Sequence, residues 1–121
     1  MIGIGTDLVD VDRFRLALTR TPRIVDRLFS ADEQAYARRR ADPAERFAAR
    51  FAAKEAVMKA IGVGLGAFPL RDVEVVRDDS GAPAVALHGR AAELAAARGV
   101  REWRLTLSHT SSLATATAVA L

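Results

Sequence analysis

Asp7, Glu55 and Lys59 have the residue types and the spacing to bind a metal ion together with phosphate groups. Glu55 and Lys59 are four residues apart, so on a helix they share one face, and Gly62 follows on that face. Two carboxylates without histidine or thiol partners suit a hard cation, most of all Mg²⁺, whose shell is completed by water and phosphate oxygens. The alternative is a turn aspartate beside a surface Glu–Lys pair, which stabilises a helix by about 0.2–0.5 kcal/mol.

A second polar group, Ser108-His109-Thr110, is expected where a strand ends and a turn begins. Adjacent side chains of a strand point to opposite faces, so Ser108 and His109 do not predict a serine triad. Histidine and threonine at a strand end can instead donate hydrogen bonds to phosphate oxygens. The chain has no cysteine and two histidines, which excludes disulfides, thiolate catalysis and three-histidine metal sites.

Arginine is concentrated in the first half of the chain. Ten arginines against five acidic residues lie between Arg13 and Arg50, which predicts a basic surface facing an anionic partner. The formal net charge of +3 is too small to indicate nucleic acid by itself, and an aromatic content of 6% offers little base stacking. A small nucleic-acid-binding module using Arg38-Arg39-Arg40 nevertheless stays open as an alternative.

The length of 121 residues predicts one domain over residues 1–121. A hydrophobic content of 50% with 27% charged residues is typical of a globular protein. No apolar run reaches the roughly 18 residues needed to cross a bilayer, and the N-terminus lacks the basic region of a secretory signal. We therefore expect a cytoplasmic protein that does not enter a membrane.

Local signals predict the elements that position these residues. In the first half, we expect a strand over Ile2–Thr6 that ends at Asp7, and then four helices. Their predicted starts are Asp10 as a cap, Thr21-Pro22, a capping box at Ser30–Glu33, and Asp42-Pro43 before the longest helix, which runs to Gly62.

In the second half, alternating apolar residues predict strands, with one alanine-rich helix between them. The expected segments are Val73–Val75, Ala84–Leu87, the helix Arg90–Arg98, Trp103–Leu107 and Leu113–Leu121. Helices grouped early and hairpins grouped late favour an α+β domain with an antiparallel sheet.

Three motifs in this order resemble the holo-acyl carrier protein synthase family, the small single-domain phosphopantetheinyl transferases. They are Gly3-Ile4-Gly5-Thr6-Asp7-Leu8-Val9, Arg50-Phe51-Ala52-Ala53-Lys54-Glu55-Ala56 and Leu107-Ser108-His109. The resemblance covers essentially the whole chain. It implies an antiparallel sheet packed on a long helix, and a homotrimer with active sites between subunits.

The resemblance also implies a reaction. The 4'-phosphopantetheine group of coenzyme A passes to a serine of apo-acyl carrier protein in a Mg²⁺-dependent step, and adenosine 3',5'-bisphosphate leaves. The product carrier serves fatty acid biosynthesis, with polyketide carriers as a further option. A Mg²⁺-dependent phosphohydrolase that uses the same carboxylates is the alternative from the residues alone.

Matching this chain to the family motifs implies roles for individual residues. Asp7 and Glu55 correspond to the metal ligands, and Lys59 to the lysine that contacts the pyrophosphate, so Glu55 and Lys59 are the expected catalytic pair. Either Glu55 or a metal-bound water is expected to take the serine proton. The remaining matches are the coenzyme A pocket (Arg50, Gly62, His109 and Thr110) and the face that docks the acidic carrier (Arg13, extended by Arg20, Arg23 and Arg27).

Overall fold

The computed structural model describes all residues from Met1 to Leu121. The elements follow in the order β1 (Gly3–Asp10), α1 (Val11–Arg20), α2 (Ile24–Leu28), α3 (Ala31–Ala37), α4 (Ala44–Ile61), a short 3₁₀ turn (Leu70–Asp72), β2 (Val73–Arg77), β3 (Pro83–Leu87), α5 (Gly89–Ala97), β4 (Trp103–His109) and β5 (Leu113–Ala120). None of the helices is both long enough and apolar enough to span a membrane.

The strands form two antiparallel sheets. The larger sheet has the order β1-β5-β4, and the smaller one is the hairpin β2-β3. In the larger sheet Asp7 of β1 lies opposite Ala116 of β5. Every second residue of β5 is a buried alanine, which gives the sheet a smooth inner face for helix packing (Ala114, Ala116, Ala118 and Ala120). The predicted α+β fold with an antiparallel sheet on a long helix is confirmed.

Helix α4 lies directly on strand β1 because glycines occupy the contact. A Cβ atom at Gly5 would lie 2.0 Å from the carbonyl oxygen of Ala56, and one at Gly3 would lie 1.9 Å from that of Ala60. Any larger residue would push the helix away from the strand. The close approach places the helix face that carries Glu55 against the strand that carries the first predicted metal ligand.

Helix ends follow the local signals in most cases. The Asp10 side chain accepts a hydrogen bond from the Arg13 amide at 2.9 Å, and Ser30 and Glu33 form a reciprocal capping box. Helix α4 ends at Gly62, which has the left-handed conformation with φ of 86° that glycine adopts at little cost. These predicted boundaries are confirmed.

Two predicted boundaries are wrong. Strand β1 does not end at Asp7 but pairs with β5 as far as Asp10, because the partner strand continues to supply hydrogen-bonding groups. Thr21 does not cap a helix beginning at Pro22. Its amide instead donates to the Ala17 carbonyl at 2.9 Å and closes α1, while α2 begins at Ile24 without a side-chain cap.

A buried ion pair joins three elements in the core. The Nζ atom of Lys54 on α4 lies 2.9 Å from Oε1 of Glu33 on α3, and both side chains are inaccessible to solvent. Lys54 also donates to the carbonyl of Val73, and the other Glu33 oxygen accepts from the Val75 amide at 3.0 Å. Burial lowers the pKa of Lys54, and the Glu33 charge opposes that effect. The pair therefore fixes α3 and β2 against α4.

Candidate active site

An open cleft of about 500 Å³ lies between β1, α1 and α4. Asp7 and Asp10 line it from the strand, Arg13 and Phe14 from α1, and Glu55 from α4. The cleft thus brings together both predicted metal ligands and the first residue of the predicted docking face. We call it the acidic cleft.

Lys59 pairs with the strand rather than with its own helix. Its Nζ atom lies 3.1 Å from Oδ1 of Asp7 and 2.9 Å from the carbonyl oxygen of Thr6. The spacing of Glu55 and Lys59 suggests an ion pair along the helix, but no ion pair within 4.0 Å includes Glu55. The glycines of β1 explain the difference, because they let the strand come within reach of the ammonium group.

The environment of Glu55 favours a cation. Burial raises the pKa of Glu55, the negative charge of Asp7 raises it further, and the charge of Lys59 partly offsets both effects. A cation between the two carboxylates would relieve this repulsion, so the donor set fits Mg²⁺. No cluster of three or more His, Asp or Glu side chains is placed to hold an ion. A magnesium ion here would therefore keep sites for water and phosphate oxygens.

Arg50 faces a different part of the molecule from Glu55. The two residues are five positions apart on α4, which places them about 140° apart around the helix axis. Arg50 is only 5% exposed, and its guanidinium carbon lies 4.3 Å from the centre of the Tyr36 ring. Burial lowers the pKa of Arg50. Arg50, Tyr36, Arg77 and His109 line a second cavity of about 220 Å³.

His109 and Thr110 lie at the predicted strand end. His109 is the last residue of β4, and its Nδ1 atom lies 3.7 Å from Oε2 of Glu45. The Thr110 hydroxyl oxygen accepts hydrogen bonds from the amides of Ser112 and Leu113 at 3.2 and 3.0 Å. Thr110 therefore shapes the turn between β4 and β5, beside the histidine.

Gly62 stands apart from both cavities. It follows the last residue of α4, and a Cβ atom there would lie 2.9 Å from Nη1 of Arg98. That same nitrogen donates to the carbonyl of Ile61 at 2.6 Å, which fixes the end of the helix. Gly62 is exposed and follows Lys59 by three residues, which is less than one helical turn.

The predicted site residues therefore fall into two main groups within one chain. The acidic cleft holds Asp7 and Glu55, with Lys59 bound to Asp7. Arg50 and His109 share the cavity beside Tyr36. No residue lines both of these spaces.

The basic surface predicted between Arg13 and Arg50 is not one surface. Four arginines on α1, on α2 and in the turn between them are exposed, and none forms an ion pair within 4.0 Å (Arg13, Arg20, Arg23 and Arg27). Arg15 is instead bound to Asp12 and Asp42. Three later arginines of the segment, Arg39, Arg46 and Arg50, turn toward Tyr36 on the other side of α4.

Sequence reasoning missed Tyr36 and Arg77 as members of the cavity beside Arg50. Tyr36 is the only tyrosine of the chain, which is the one signal that marks it. Arg77 ends strand β2 and lies 27 residues from Arg50 in the sequence, so no local pattern connects them.

Comparisons with known proteins agree with this architecture. Residues 3–117 match the family model described as the 4'-phosphopantetheinyl transferase superfamily. The holo-[acyl-carrier-protein] synthase of Moorella thermoacetica is 44% identical over 98% of this chain and 93% of its own. That of Clavibacter michiganensis is 50% identical over 94% and 90%.

A solved structure extends the likeness to the fold. The Helicobacter pylori holo-[acyl-carrier-protein] synthase in complex with coenzyme A superposes with a TM-score of 0.85 at 26% identity, over 98% of this chain and 99% of that one. The chain therefore belongs to the holo-acyl carrier protein synthase family of the 4'-phosphopantetheinyl transferase superfamily, and the identification made from its motifs is confirmed.

Proposed function

We propose that this chain transfers the 4'-phosphopantetheine group of coenzyme A to a serine hydroxyl of apo-acyl carrier protein, for fatty acid biosynthesis. The relatives from Moorella thermoacetica and Clavibacter michiganensis, matched over at least 90% of their length, are named holo-[acyl-carrier-protein] synthases. The Helicobacter pylori structure contains coenzyme A. The observation that carries the proposal is the acidic cleft, where two carboxylates repel each other on the side of α4 that also carries a lysine. Phosphoryl-type transfer needs such charge neutralisation more than it needs a covalent intermediate.

Asp7 and Glu55 would hold Mg²⁺, which supplies positive charge to the pyrophosphate of coenzyme A when bound. Lys59 adds an ammonium group at the same place, because the Thr6 carbonyl and Asp7 already hold its Nζ atom beside the cleft. Either Glu55 or a water held by the metal would take the proton from the serine Oγ.

The remaining residues would bind the two substrates. Arg50, His109, Thr110 and the backbone at Gly62 would contact coenzyme A. The four unpaired arginines of α1, α2 and the turn between them would face the acidic carrier, and Arg13 extends that face into the acidic cleft. Docking there would bring the carrier serine toward Glu55, which supplies the positioning that the transfer needs.

A second copy of the chain would complete each site, in a homotrimer. One support is that Arg50 and Glu55 lie on different sides of α4 and line separate cavities. The other is the outward face of β1, where Ile4 and Leu8 are 58% and 63% exposed. Apolar side chains in a row on a sheet face are typical of a surface that another protein covers.

Intact-mass measurement of apo-carriers tests the reaction. Incubation with the protein, coenzyme A and Mg²⁺ should add the phosphopantetheine mass to the carrier. Cleavage of coenzyme A without any carrier would instead identify a phosphohydrolase. The absence of both reactions with a panel of apo-carriers would refute the proposed function.

Mixed assembly of two inactive variants tests the shared site. Glu55→Gln disables the acidic cleft, and Arg50→Met disables the other cavity while keeping the volume of the buried side chain. If each site combines Glu55 of one copy with Arg50 of the next, random reassembly of equal amounts restores about one quarter of wild-type activity. If one copy holds a whole site, mixing restores nothing.

A further inference from the structure

The carboxyl end of helix α4 lies where the proposed function places part of coenzyme A. The helix is 18 residues long and ends in the left-handed turn at Gly62, whose backbone is one of the expected contacts. A helix carries about half a negative charge at its carboxyl end, because the last carbonyls have no amide partner within the helix. Such an end repels phosphate groups, so an anion that binds beside Gly62 needs a cation there.

Lys59 does not supply that cation, although it is the basic residue of the last turn of α4. Its Nζ atom lies 3.1 Å from Oδ1 of Asp7 and 2.9 Å from the carbonyl oxygen of Thr6, so its charge is held at strand β1. The Asp7 carboxylate also neutralises part of that charge. The end of α4 therefore needs a positive charge from another element.

Arg98 places its side chain at this end of α4. It follows helix α5, and its Nη1 atom donates a hydrogen bond at 2.6 Å to the carbonyl of Ile61, the last residue of α4. The same nitrogen would lie 2.9 Å from a Cβ atom at Gly62. No carboxylate oxygen lies within 4.0 Å of the Arg98 guanidinium group, so its charge is not neutralised. Arg98 is exposed, and a ligand can approach it.

We infer that Arg98 is a positioning residue for coenzyme A. Its guanidinium group holds the Gly62 turn through the Ile61 carbonyl. Its charge offsets the negative end of the helix, so that an anionic ligand can lie against the Gly62 backbone. Arg98 acts through the helix end and does not touch the reacting atoms. This inference rests on the proposed function, which places coenzyme A beside Gly62.

Substitutions that separate charge from hydrogen bonding test the inference. Arg98→Gln keeps a hydrogen-bond donor and removes the charge, whereas Arg98→Lys keeps the charge. By calorimetry at low salt, Arg98→Gln should bind coenzyme A about two- to fivefold more weakly than the wild-type protein, the range expected for a cation at an exposed helix end. Arg98→Lys should keep the wild-type affinity. The position is exposed, so both variants should fold.

Salt dependence is a readout that a purely structural hydrogen bond would not change. The difference in affinity between the wild-type protein and Arg98→Gln should shrink toward zero at about 1 M NaCl, because ions screen the helix dipole. In steady-state kinetics at low salt, the KM of coenzyme A should rise in Arg98→Gln, while kcat and the KM of the carrier stay the same. Arg101→Gln is the matched control, since Arg101 is exposed and forms no ion pair within 4.0 Å, and it should behave as the wild-type protein.

The same measurements distinguish a failure of this inference from a failure of the proposed function. Wild-type affinity for coenzyme A in Arg98→Gln, or an equal loss in Arg98→Lys, would overturn the inference and leave the transferase function intact. A rise in the KM of the carrier instead of coenzyme A would also overturn it and would identify a contact with the carrier. If Arg98→Gln weakens coenzyme A binding but the wild-type protein modifies no apo-carrier, the proposed function fails and the role of Arg98 in binding stands.

Discussion

The charge on Glu55 is unfavourable for stability and necessary for the proposed transfer, so Glu55→Gln should move the two properties in opposite directions. Burial and the Asp7 charge raise the pKa of Glu55 above its ordinary value of 4.5 in the folded protein, and neither acts in the unfolded chain. An acid with a raised folded pKa contributes stability below its unfolded pKa and loses that contribution as pH rises through the folded pKa.

At neutral pH without metal, therefore, the neutral amide should be more stable than the carboxylate. Solvent screening limits the gain in the free energy of unfolding to about 0.5 kcal/mol, because the Glu55 side chain is only partly buried. The same substitution removes one of two expected metal ligands. Since changes that only orient ligands already cost 10- to 100-fold, kcat should fall by at least about 100-fold.

Urea unfolding with a metal chelator measures the first effect at pH 7.5 and at pH 4. The variant should be the more stable protein at pH 7.5, and the difference should shrink toward zero at pH 4. Added Mg²⁺ should stabilise the wild-type protein more than the variant by mass action. Glu93→Gln, at an exposed position of α5, should show neither effect. Lower stability of Glu55→Gln at pH 7.5 without metal, or wild-type turnover, would refute the reasoning.

Three other substitutions test separate parts of the structure. Gly5→Ala should lower the free energy of unfolding, measured by urea, by about 1–3 kcal/mol, because its Cβ would lie 2.0 Å from a carbonyl oxygen of α4. Gly64→Ala is the control: its Cβ would meet no atom within 4 Å, so the free energy of unfolding should hardly change. Glu33→Ala leaves Lys54 buried without its partner and should cost about 3–5 kcal/mol in the same assay, and a change below 1 kcal/mol would contradict the pairing. Arg13→Glu should raise the KM of the carrier far more than that of coenzyme A in steady-state kinetics, and equal increases would argue against the docking face.

Local chemistry explains which parts of the fold the sequence could predict. Helix boundaries depend on groups within about four residues, so the local sequence is enough to predict them. Examples are the caps at Asp10 and Ser30 and the helix end at Gly62. The motifs around Asp7 and Glu55 located both members of the acidic cleft, which the structure places on facing elements.

Tertiary contacts explain what could not be predicted. Lys59 could pair with Glu55 along its helix or with Asp7 of the strand, and the distance between β1 and α4 decides which. The spacing of residues in the sequence does not reveal that distance. The end of β1 likewise depends on where β5 stops pairing with it. Tyr36 and Arg77 meet only after α3 and the β2-β3 hairpin pack on α4.

The contact of main chain on main chain at Gly3 and Gly5 has a practical consequence for protein engineering. The nearest atoms of α4 at these two points are main-chain carbonyl oxygens, so atomic radii largely set the spacing of the two backbones there. Neighbouring apolar residues can therefore be replaced by others of the same total volume without changing the distance between β1 and α4. The interior can therefore change while the distance between β1 and α4, which flank the acidic cleft, stays the same.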